Sequence, residues 1–274
     1  MIEEKIATNN YESVQGSITP SGFFGNSVDM IVELENFMTE EEQEFLFNFA
    51  SNNTTWDYTI SKKNENGTVI YDADVWADRV ATLHTLQKVN QKVVDVVHEL
   101  FDRLKIEVDK FYNVNAKATS PAIVRWPIGT RQEPHADKEL HEGPDAGTPN
   151  AFPWYDIASI FYINDDYDGG EIEFYIDNNF ITYKPKAGDI LIFPSTEPYW
   201  HGVKTINSGN KFFIRSFIMF PFDGTEEWLK NQKKYGKEEW YKMEKDRIKK
   251  ERDYLTYSAE RLHKFFGKDN GVYK

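Results

Sequence analysis

Apolar residues recur at steps of three and four along the segment between Thr82 and Phe111. This spacing predicts one long amphipathic helix that covers a core. Upstream, residues 31–37 alternate between apolar and polar, as in a half-buried strand. Thr39 with Glu42 three residues later is the signature of a capping box, which opens a helix. A strand and two helices are therefore predicted before residue 119.

Residues 119–222 carry short β-branched and aromatic runs separated by Gly, Pro, Asn and Asp, which is typical of an antiparallel β-sandwich or jelly roll. In one of these runs, Ile172 and Phe174 alternate with Glu171 and Glu173, so we expect that strand to have one solvent-exposed face. The candidate strands are Ala122 to Trp126, Ile157 to Ile163, Ile172 to Ile176, Phe180 to Lys184, Asp189 to Phe193 and Lys211 to Phe220.

The two ends of the chain have their own character. Residues 1–30 show no sustained period and predict an irregular arm. From Thr225 the chain is helical in pattern and basic, with 14 Lys and Arg against 10 Asp and Glu. A solvated helical face packed outside the sheet explains this extension, and a docking surface for an acidic partner is the alternative. With no repeat and no flexible linker, we expect one domain over 1–274: arm 1–30, supporting elements 31–118, β core 119–222 and helical extension 223–274.

The composition of this 274-residue chain excludes several kinds of site. Lys and Arg total 32 against 45 for Asp and Glu, and the net charge of -13 disfavours a nucleic-acid partner. No cysteine is present, which excludes disulfides, thiolate nucleophiles and cysteine-ligated metals. Any metal must therefore bind His, Asp or Glu. No apolar run approaches the ~20 residues of a membrane span, and the first ten residues lack a secretory pattern. We expect a cytoplasmic protein without a membrane partner.

Two of the six histidines, together with one carboxylate in the β region, suggest a metal site. His135 and Asp137 are two residues apart, so in extended backbone both side chains leave on the same side. His201 follows the buried-strand pattern of residues 189–194. Two His and one carboxylate occupy one face of an octahedral ion and leave sites open, as in non-haem Fe(II) oxygenases. Taken singly, a chance His-x-Asp or a core histidine beside Trp200 explains each motif equally well.

A cation in the last predicted strand points the same way. Lys211 opens this strand, and the residues that follow are apolar on both faces, so a cation there is buried and needs an anionic partner. Lys211 and Arg215 share one face with Phe213. Either could bind the anion, and we prefer Lys211. A hydrolytic zinc site also fits the three metal ligands, but it leaves both cations unexplained.

Six motifs in this order resemble the iron(II)- and 2-oxoglutarate-dependent oxygenases, specifically their prolyl 4-hydroxylase-like branch, over about residues 119–222. They are His135-Ala136-Asp137, Ser159 to Asn164, Gly169 to Phe174, Pro185 to Phe193, His201-Gly202-Val203 and Ser208 to Lys211.

The resemblance implies an α+β fold with a double-stranded β-helix (jelly-roll) core, supporting N-terminal helices and a C-terminal helical extension. It further implies that His135, Asp137 and His201 bind Fe(II) and that Lys211 pairs with the distal carboxylate of 2-oxoglutarate. Tyr162 resembles a family tyrosine whose hydroxyl reaches the same carboxylate. Trp126 stands where some relatives have a tyrosine near the metal end of the cosubstrate. The segment 141–155 matches a region that covers the substrate in relatives.

The activity implied is oxidative decarboxylation of 2-oxoglutarate with O2, giving succinate and CO2, coupled to hydroxylation of a C–H bond. The leading substrate is a prolyl residue in a protein or peptide, and ascorbate is a candidate reductant. The candidate substrate contacts are Arg125, Arg131, Trp154 and Arg215. The alternatives are a free amino acid such as proline, another small molecule or nucleic-acid component, and a non-catalytic jelly-roll binding module. A binding module would be marked by a lost ligand or a lost lysine, and neither is lost.

Overall fold

The computed structural model describes residues 24–56, 79–113, 116–119, 121–139, 155–176 and 179–219, with a few residues between 230 and 243. Three helices have their bounds within these ranges. The helices are α1 (Glu40–Asn52), α2 (Leu83–Val89) and α3 (Gln91–Tyr112), and a short 3-10 turn precedes them at Val28–Met30. Predictions for residues 1–23, for segment 141–154 with Trp154 and for nearly all of the C-terminal extension lie outside the described residues. No helix within them is long and apolar enough to cross a membrane.

The capping box predicted at Thr39 is present. The Thr39 backbone N–H donates to Glu42 Oε2 (2.9 Å), and the Glu42 N–H donates to Thr39 Oγ1 (3.2 Å). Arg103 of α3 donates to the same carboxylate at 2.7 Å, and this hydrogen bond holds the pKa of Glu42 below its usual value. Glu42, which takes part in the capping box of α1, therefore also links α1 to α3.

The prediction of a single helix from Thr82 to Phe111 is wrong, because the helix is interrupted at Asn90. Asn90 has an extended backbone (φ -157°), and its side chain accepts a hydrogen bond from the Lys92 N–H at 3.1 Å. Asn90 thus ends α2 and caps α3, because a short amide side chain bonds a helix start better than it fits a helix interior. The predicted apolar face is buried all the same. In α3 it comprises Val93, Val94, Val97, Leu100, Phe101, Leu104 and Val108.

The strands predicted between residues 119 and 222 are found, with ends that differ by at most one residue. Several shorter strands, which the sequence pattern does not predict, join them. In chain order the strands are β1 Val32–Leu34, β2 Val80–Thr82, β3 Lys117–Ala118, β4 Ala122–Trp126, β5 Gln132–His135, β6 Ile157–Tyr162, β7 Asp168–Gly169, β8 Ile172–Ile176, β9 Asn179–Tyr183, β10 Ile190–Pro194, β11 His201–Val203, β12 Ile206–Ser208 and β13 Lys211–Met219.

Two antiparallel sheets face each other and form the jelly-roll core. The larger sheet has the strand order β1-β10-β6-β13-β4-β2, with β3 also paired to β13, and the smaller sheet has the order β5-β11-β8-β9. Phe174 of the smaller sheet contacts Phe193 of the larger sheet, with 4.8 Å between ring centres. The α+β fold with a double-stranded β-helix is therefore confirmed in the described part of the chain.

The helices cover the outer face of the larger sheet. Phe161 of β6 contacts Phe101 of α3 at 5.2 Å, and Phe212 of β13 contacts Phe47 of α1 at 6.2 Å. Because side chains alternate along a strand, residues 211, 213 and 215 of β13 point the other way, toward the smaller sheet. This alternation decides which residues of the larger sheet can reach a site between the sheets.

The prediction that β8 has one solvent-exposed face is wrong, since all five residues of this strand are buried. Glu173 is only 6% exposed because Lys204 pairs with its carboxylate at 2.8 Å and the Thr182 hydroxyl donates to it at 3.2 Å. Neighbouring polar side chains thus cover the face that the alternation alone leaves to solvent.

Candidate active site

Two histidines meet where the edge strand β5 of the smaller sheet pairs with β11. His135 is the last residue of β5 and His201 the first of β11, and the two are directly paired across the strands. Their ring centres are 4.4 Å apart. The sheet register therefore brings together two imidazoles that are 66 residues apart in the sequence.

Asp137 completes this cluster. Its Oδ1 lies 3.3 Å from His135 Nε2, and its Oδ2 lies 3.6 Å from His201 Nε2. One ligand atom from each residue falls within 4.8 Å of the others, and no other His, Asp or Glu cluster of this kind occurs among the described residues. The predicted trio thus meets in space, with one carboxylate between two imidazole nitrogens, which is a donor set that suits Fe(II).

Backbone carbonyls orient both imidazoles. His135 Nδ1 is 2.8 Å from the Glu133 carbonyl oxygen, and His201 Nδ1 is 3.1 Å from that of Tyr199. A carbonyl only accepts, so each Nδ1 carries a hydrogen and each Nε2 is directed toward Asp137. Gln132 Nε2 also lies 3.0 Å from His135 Nε2, so a bound cation would compete with this amide.

The ionisation states of Asp137 and His201 favour binding of a cation. Burial raises the pKa of Asp137, but the nearby His201 and the hydrogen bond from His135 outweigh it and hold that pKa below its usual value. Burial lowers the pKa of His201 to about 4, so this imidazole is neutral at pH 7. An ionised carboxylate and a neutral imidazole are the forms in which these side chains bind metals.

A second polar site surrounds Lys211, whose side chain is 2% exposed. Its Nζ donates to the Gly170 carbonyl oxygen at 2.9 Å. Four rings enclose it, and we call them the aromatic box: Tyr162, Phe213, Tyr167 and Trp126, with centres 4.8, 5.5, 5.7 and 5.8 Å from Nζ. Burial lowers the pKa of Lys211 to about 7, against the opposing effect of Glu171. An ammonium group held by one neutral carbonyl is poised to bind an anion.

Two tyrosine hydroxyls complete this site. The hydroxyls of Tyr162 and Tyr167 are buried and have no hydrogen-bond partner among the described residues. Burial and the neighbouring Tyr167 raise the pKa of Tyr162, so its hydroxyl remains a donor. Buried donors without partners are costly, and a carboxylate beside Lys211 would accept from them. Tyr167 was missed in the sequence because its turn, Asp165 to Gly170, indicates only a chain reversal.

The carbonyl that holds Lys211 depends on two glycines. Gly169 and Gly170 have φ angles of +76° and +69°, which side chains rarely adopt. A Cβ on Gly170 would lie 2.4 Å from Ile206 Cδ1 and 3.0 Å from Tyr167 Cε2. The paired glycines thus let the backbone pass close to the aromatic box.

The comparison with known families agrees with both halves of this site. Residues 122–219 match the family model of the 2OG-Fe(II) oxygenase superfamily, and that range contains the histidine–aspartate cluster and Lys211. This part of the chain is therefore similar to that superfamily. Prolyl 3-hydroxylase 2 of Mus musculus is 37% identical over 84 residues, and that of Rattus norvegicus is 24% identical over 207 residues.

These curated relatives are much longer than the regions that align. The matches cover 28% and 66% of this chain but only 12% and 28% of the mouse and rat proteins. Among solved structures, a prolyl hydroxylase from Trichoplax adhaerens, determined with a hypoxia inducible factor oxygen degradation domain peptide fragment, superposes with a TM-score of 0.52 at 12% identity. That match covers 80% of this chain and 96% of the other, and it supports the oxygenase fold.

The remaining predicted site residues lie in different places. Arg215 is on the same face of β13 as Lys211, and its charge helps to lower the pKa of Asp137. Arg215 therefore lies toward the histidine–aspartate cluster. Its guanidinium carbon is 6.0 Å from the centre of the Phe217 ring. Trp126 is in the aromatic box and contacts Phe213 at 5.3 Å.

Two of the predicted substrate contacts have partners outside the histidine–aspartate cluster and the aromatic box. Arg125 lies on the opposite face of β4 from Trp126, with its guanidinium carbon 4.7 Å from the centre of the Trp56 ring. Arg131 pairs with Glu133 at 2.8 Å, and its side chain is 41% exposed. Neighbours in a strand point to opposite faces, so Arg125 and Trp126 cannot both face the space between the sheets.

Proposed function

We propose that the chain is an Fe(II)- and 2-oxoglutarate-dependent dioxygenase that hydroxylates a prolyl residue in a protein or peptide and releases succinate and CO2. One observation carries the proposal. A single jelly roll holds both a His-Asp-His cluster and a buried lysine near two tyrosine hydroxyls that have no hydrogen-bond partner among the described residues. The first site suits Fe(II), and the second suits the far carboxylate of a dicarboxylic acid.

His135, Asp137 and His201 would hold the iron. When bound, the iron supplies the oxidising chemistry that couples O2 and 2-oxoglutarate decarboxylation to C–H hydroxylation. The protein would direct the two Nε2 atoms toward the metal, since the Glu133 and Tyr199 carbonyls accept from Nδ1. Asp137 neutralises part of the metal charge, and the buried setting excludes water.

Lys211 would bind the distal carboxylate of 2-oxoglutarate, with hydroxyl donation from Tyr162 and Tyr167. Trp126 and Phe213 form walls that exclude water from this ion pair. Arg215, near Asp137, is our candidate for a contact at the metal end of the cosubstrate or with the substrate. We take residues 1–274 as one oxygenase domain with these groups in its core.

The relatives support a prolyl substrate. Prolyl 3-hydroxylases align in sequence, and the prolyl hydroxylase whose fold this chain shares was determined with a peptide. The net charge of -13 disfavours a nucleic-acid substrate.

The test is hydroxylation of peptides by the full chain with Fe(II), 2-oxoglutarate and O2, with and without ascorbate. We expect a proline-containing peptide to gain one oxygen atom and to stimulate succinate formation, and its matched Pro→Ala peptide to do neither. Amino-acid analysis of the product distinguishes 3- from 4-hydroxyproline. Stimulation by free proline but by no peptide would replace the peptide assignment, and no succinate in any condition would overturn the enzyme assignment.

A further inference from the structure

A buried ion pair lies next to the metal cluster. Lys138 Nζ is 2.8 Å from Asp156 Oδ1, and the two side chains are 4% and 0% exposed. Among the Lys and Arg ion pairs of the described residues, this one is the most completely buried. Burying two charges is costly, and such a pair often contributes less to stability than an apolar pair of equal volume. Its position therefore suggests another role.

The pair belongs to a closed set of interactions that includes the backbone of Asp137. Asp137 lies two residues beyond the end of β5, so no strand ladder fixes it. Instead, the N–H groups of Asp137 and Lys138 both donate to the Ser195 carbonyl oxygen, at 2.8 and 3.3 Å. The Ser195 N–H donates in turn to the Asp156 carbonyl oxygen at 2.9 Å. The hydrogen bond from the Lys138 side chain to Asp156 closes this set of interactions, because Lys138 is the residue next to Asp137.

The same set of interactions joins the two sheets. Ser195 directly follows β10 and Asp156 directly precedes β6, both in the larger sheet, whereas Asp137 follows a strand of the smaller sheet. The Asp156 N–H donates to the Ile218 carbonyl oxygen of β13 at 3.1 Å. Asp137 is thus held against the larger sheet, in reach of His135 and His201.

We propose that the Lys138–Asp156 pair is a positioning element that fixes the Asp137 carboxylate between the two imidazoles and so tightens metal binding. The inference rests on the proposed metal site and deepens it. The Lys138 side chain bonds to Asp156 and not to the histidine–aspartate cluster. It acts through the backbone of its neighbour, because its directed hydrogen bond to Asp156 sets the path of the chain at residue 138. Loss of such outer contacts typically weakens metal affinity about 10- to 100-fold.

The test compares metal affinity with stability in the full chain. Mn(II), which is redox-stable, serves as the probe, and its free concentration is followed by electron paramagnetic resonance. We expect Lys138→Met to raise the Kd for Mn(II) at least about tenfold. The matched control is Arg103→Met, which removes the ion pair with Glu42 between α1 and α3 and should leave the Kd unchanged.

The double variant Lys138→Met with Asp156→Leu separates positioning from packing. It leaves no buried charge unpaired, so its Tm should recover relative to Lys138→Met, while the Kd should stay weak because the directed bond is missing. It also provides the readout if the single variant does not fold. A Kd that returns to the wild-type value with the Tm, or that never changes, would overturn the positioning role. A wild-type chain that binds no Mn(II) or Fe(II) would instead contradict the proposed metal site itself.

Discussion

The ammonium nitrogen of Lys211 lies 4.8 Å from the centre of the Tyr162 ring, and both side chains are at least 98% buried. Burial lowers the pKa of this lysine to about 7. A bound carboxylate favours the charged form and raises that pKa again. The proposed binding of 2-oxoglutarate at Lys211 should therefore be coupled to proton uptake above pH 7.

This coupling predicts a pH-dependent affinity. The affinity for 2-oxoglutarate should be constant below pH 7, where Lys211 is already protonated. Above pH 7 it should fall by up to about tenfold per pH unit, because each binding event must first protonate the lysine. Titration of the Mn(II)-loaded protein at pH 6, 7 and 8 measures this. Lys211→Arg is the control, since a guanidinium stays charged and should flatten the profile. Identical profiles for both proteins would refute the coupling.

The two cations on the inner face of β13 should have separable roles. Lys211→Ala should raise the KM for 2-oxoglutarate far more than the Fe(II) requirement, because Lys211 lies in the aromatic box and is not among the metal-cluster residues. Arg215→Ala should leave the KM for 2-oxoglutarate nearer to wild type, since Arg215 lies toward Asp137. Steady-state kinetics with each cosubstrate varied in turn tests the assignment. The reverse pattern would make Arg215 the residue that binds the distal carboxylate.

The hydroxyls of Tyr162 and Tyr167, which have no hydrogen-bond partner in the described part of the chain, should affect stability and affinity in opposite directions. Tyr162→Phe and Tyr167→Phe each remove a buried hydroxyl without a partner, so the free energy of unfolding should stay the same or rise by about 1 kcal/mol. The Kd for 2-oxoglutarate should rise about 10-fold, since a hydrogen bond to a charged group is lost. Urea unfolding and cosubstrate titration measure the two effects. A loss of stability with unchanged affinity would mean that the hydroxyls serve only the fold.

Gly170 should tolerate no side chain. Gly170→Ala places a methyl group 2.4 Å from Ile206 Cδ1 and forces an unfavourable φ, so we expect a loss of at least about 2 kcal/mol in the free energy of unfolding. Gly129→Ala is the matched control, because φ is also positive (+84°) but no atom lies within 4 Å of its Cβ. It should cost only about 1–2 kcal/mol. Equal losses by urea unfolding would show that the contact with Ile206 relaxes freely.

The histidine–aspartate cluster could be predicted from the sequence because each of its members belongs to a short sequence pattern. His135 and Asp137 are two residues apart, and His201 follows a buried strand. The strands that carry the histidines, β5 and β11, were not predicted, since at four and three residues they show no apolar alternation. Their existence depends on pairing with neighbours, which is a property of the folded sheet.

Other parts of the site depend on contacts between distant segments. Tyr167 joins Lys211 only because the turn before Gly170 folds over the start of β13. Lys138 and Asp156 are joined across 18 residues, and neither has a local signal. Arg125, in contrast, could have been assigned from the sequence to the face of β4 opposite Trp126. It is adjacent to Trp126 in a predicted strand, so the two side chains must face opposite sides.

The most direct test of the central claim is succinate formation from 2-oxoglutarate by anaerobically iron-loaded protein after O2 is admitted, with wild type beside Asp137→Ala. Asp137 is the one carboxylate of the metal cluster, and it lies 3.3 and 3.6 Å from the two imidazole nitrogens. We predict oxygen-dependent succinate from the wild type and none from Asp137→Ala, although the variant remains folded by circular dichroism. Equal succinate formation by the two proteins would contradict the assignment of this cluster as the metal site.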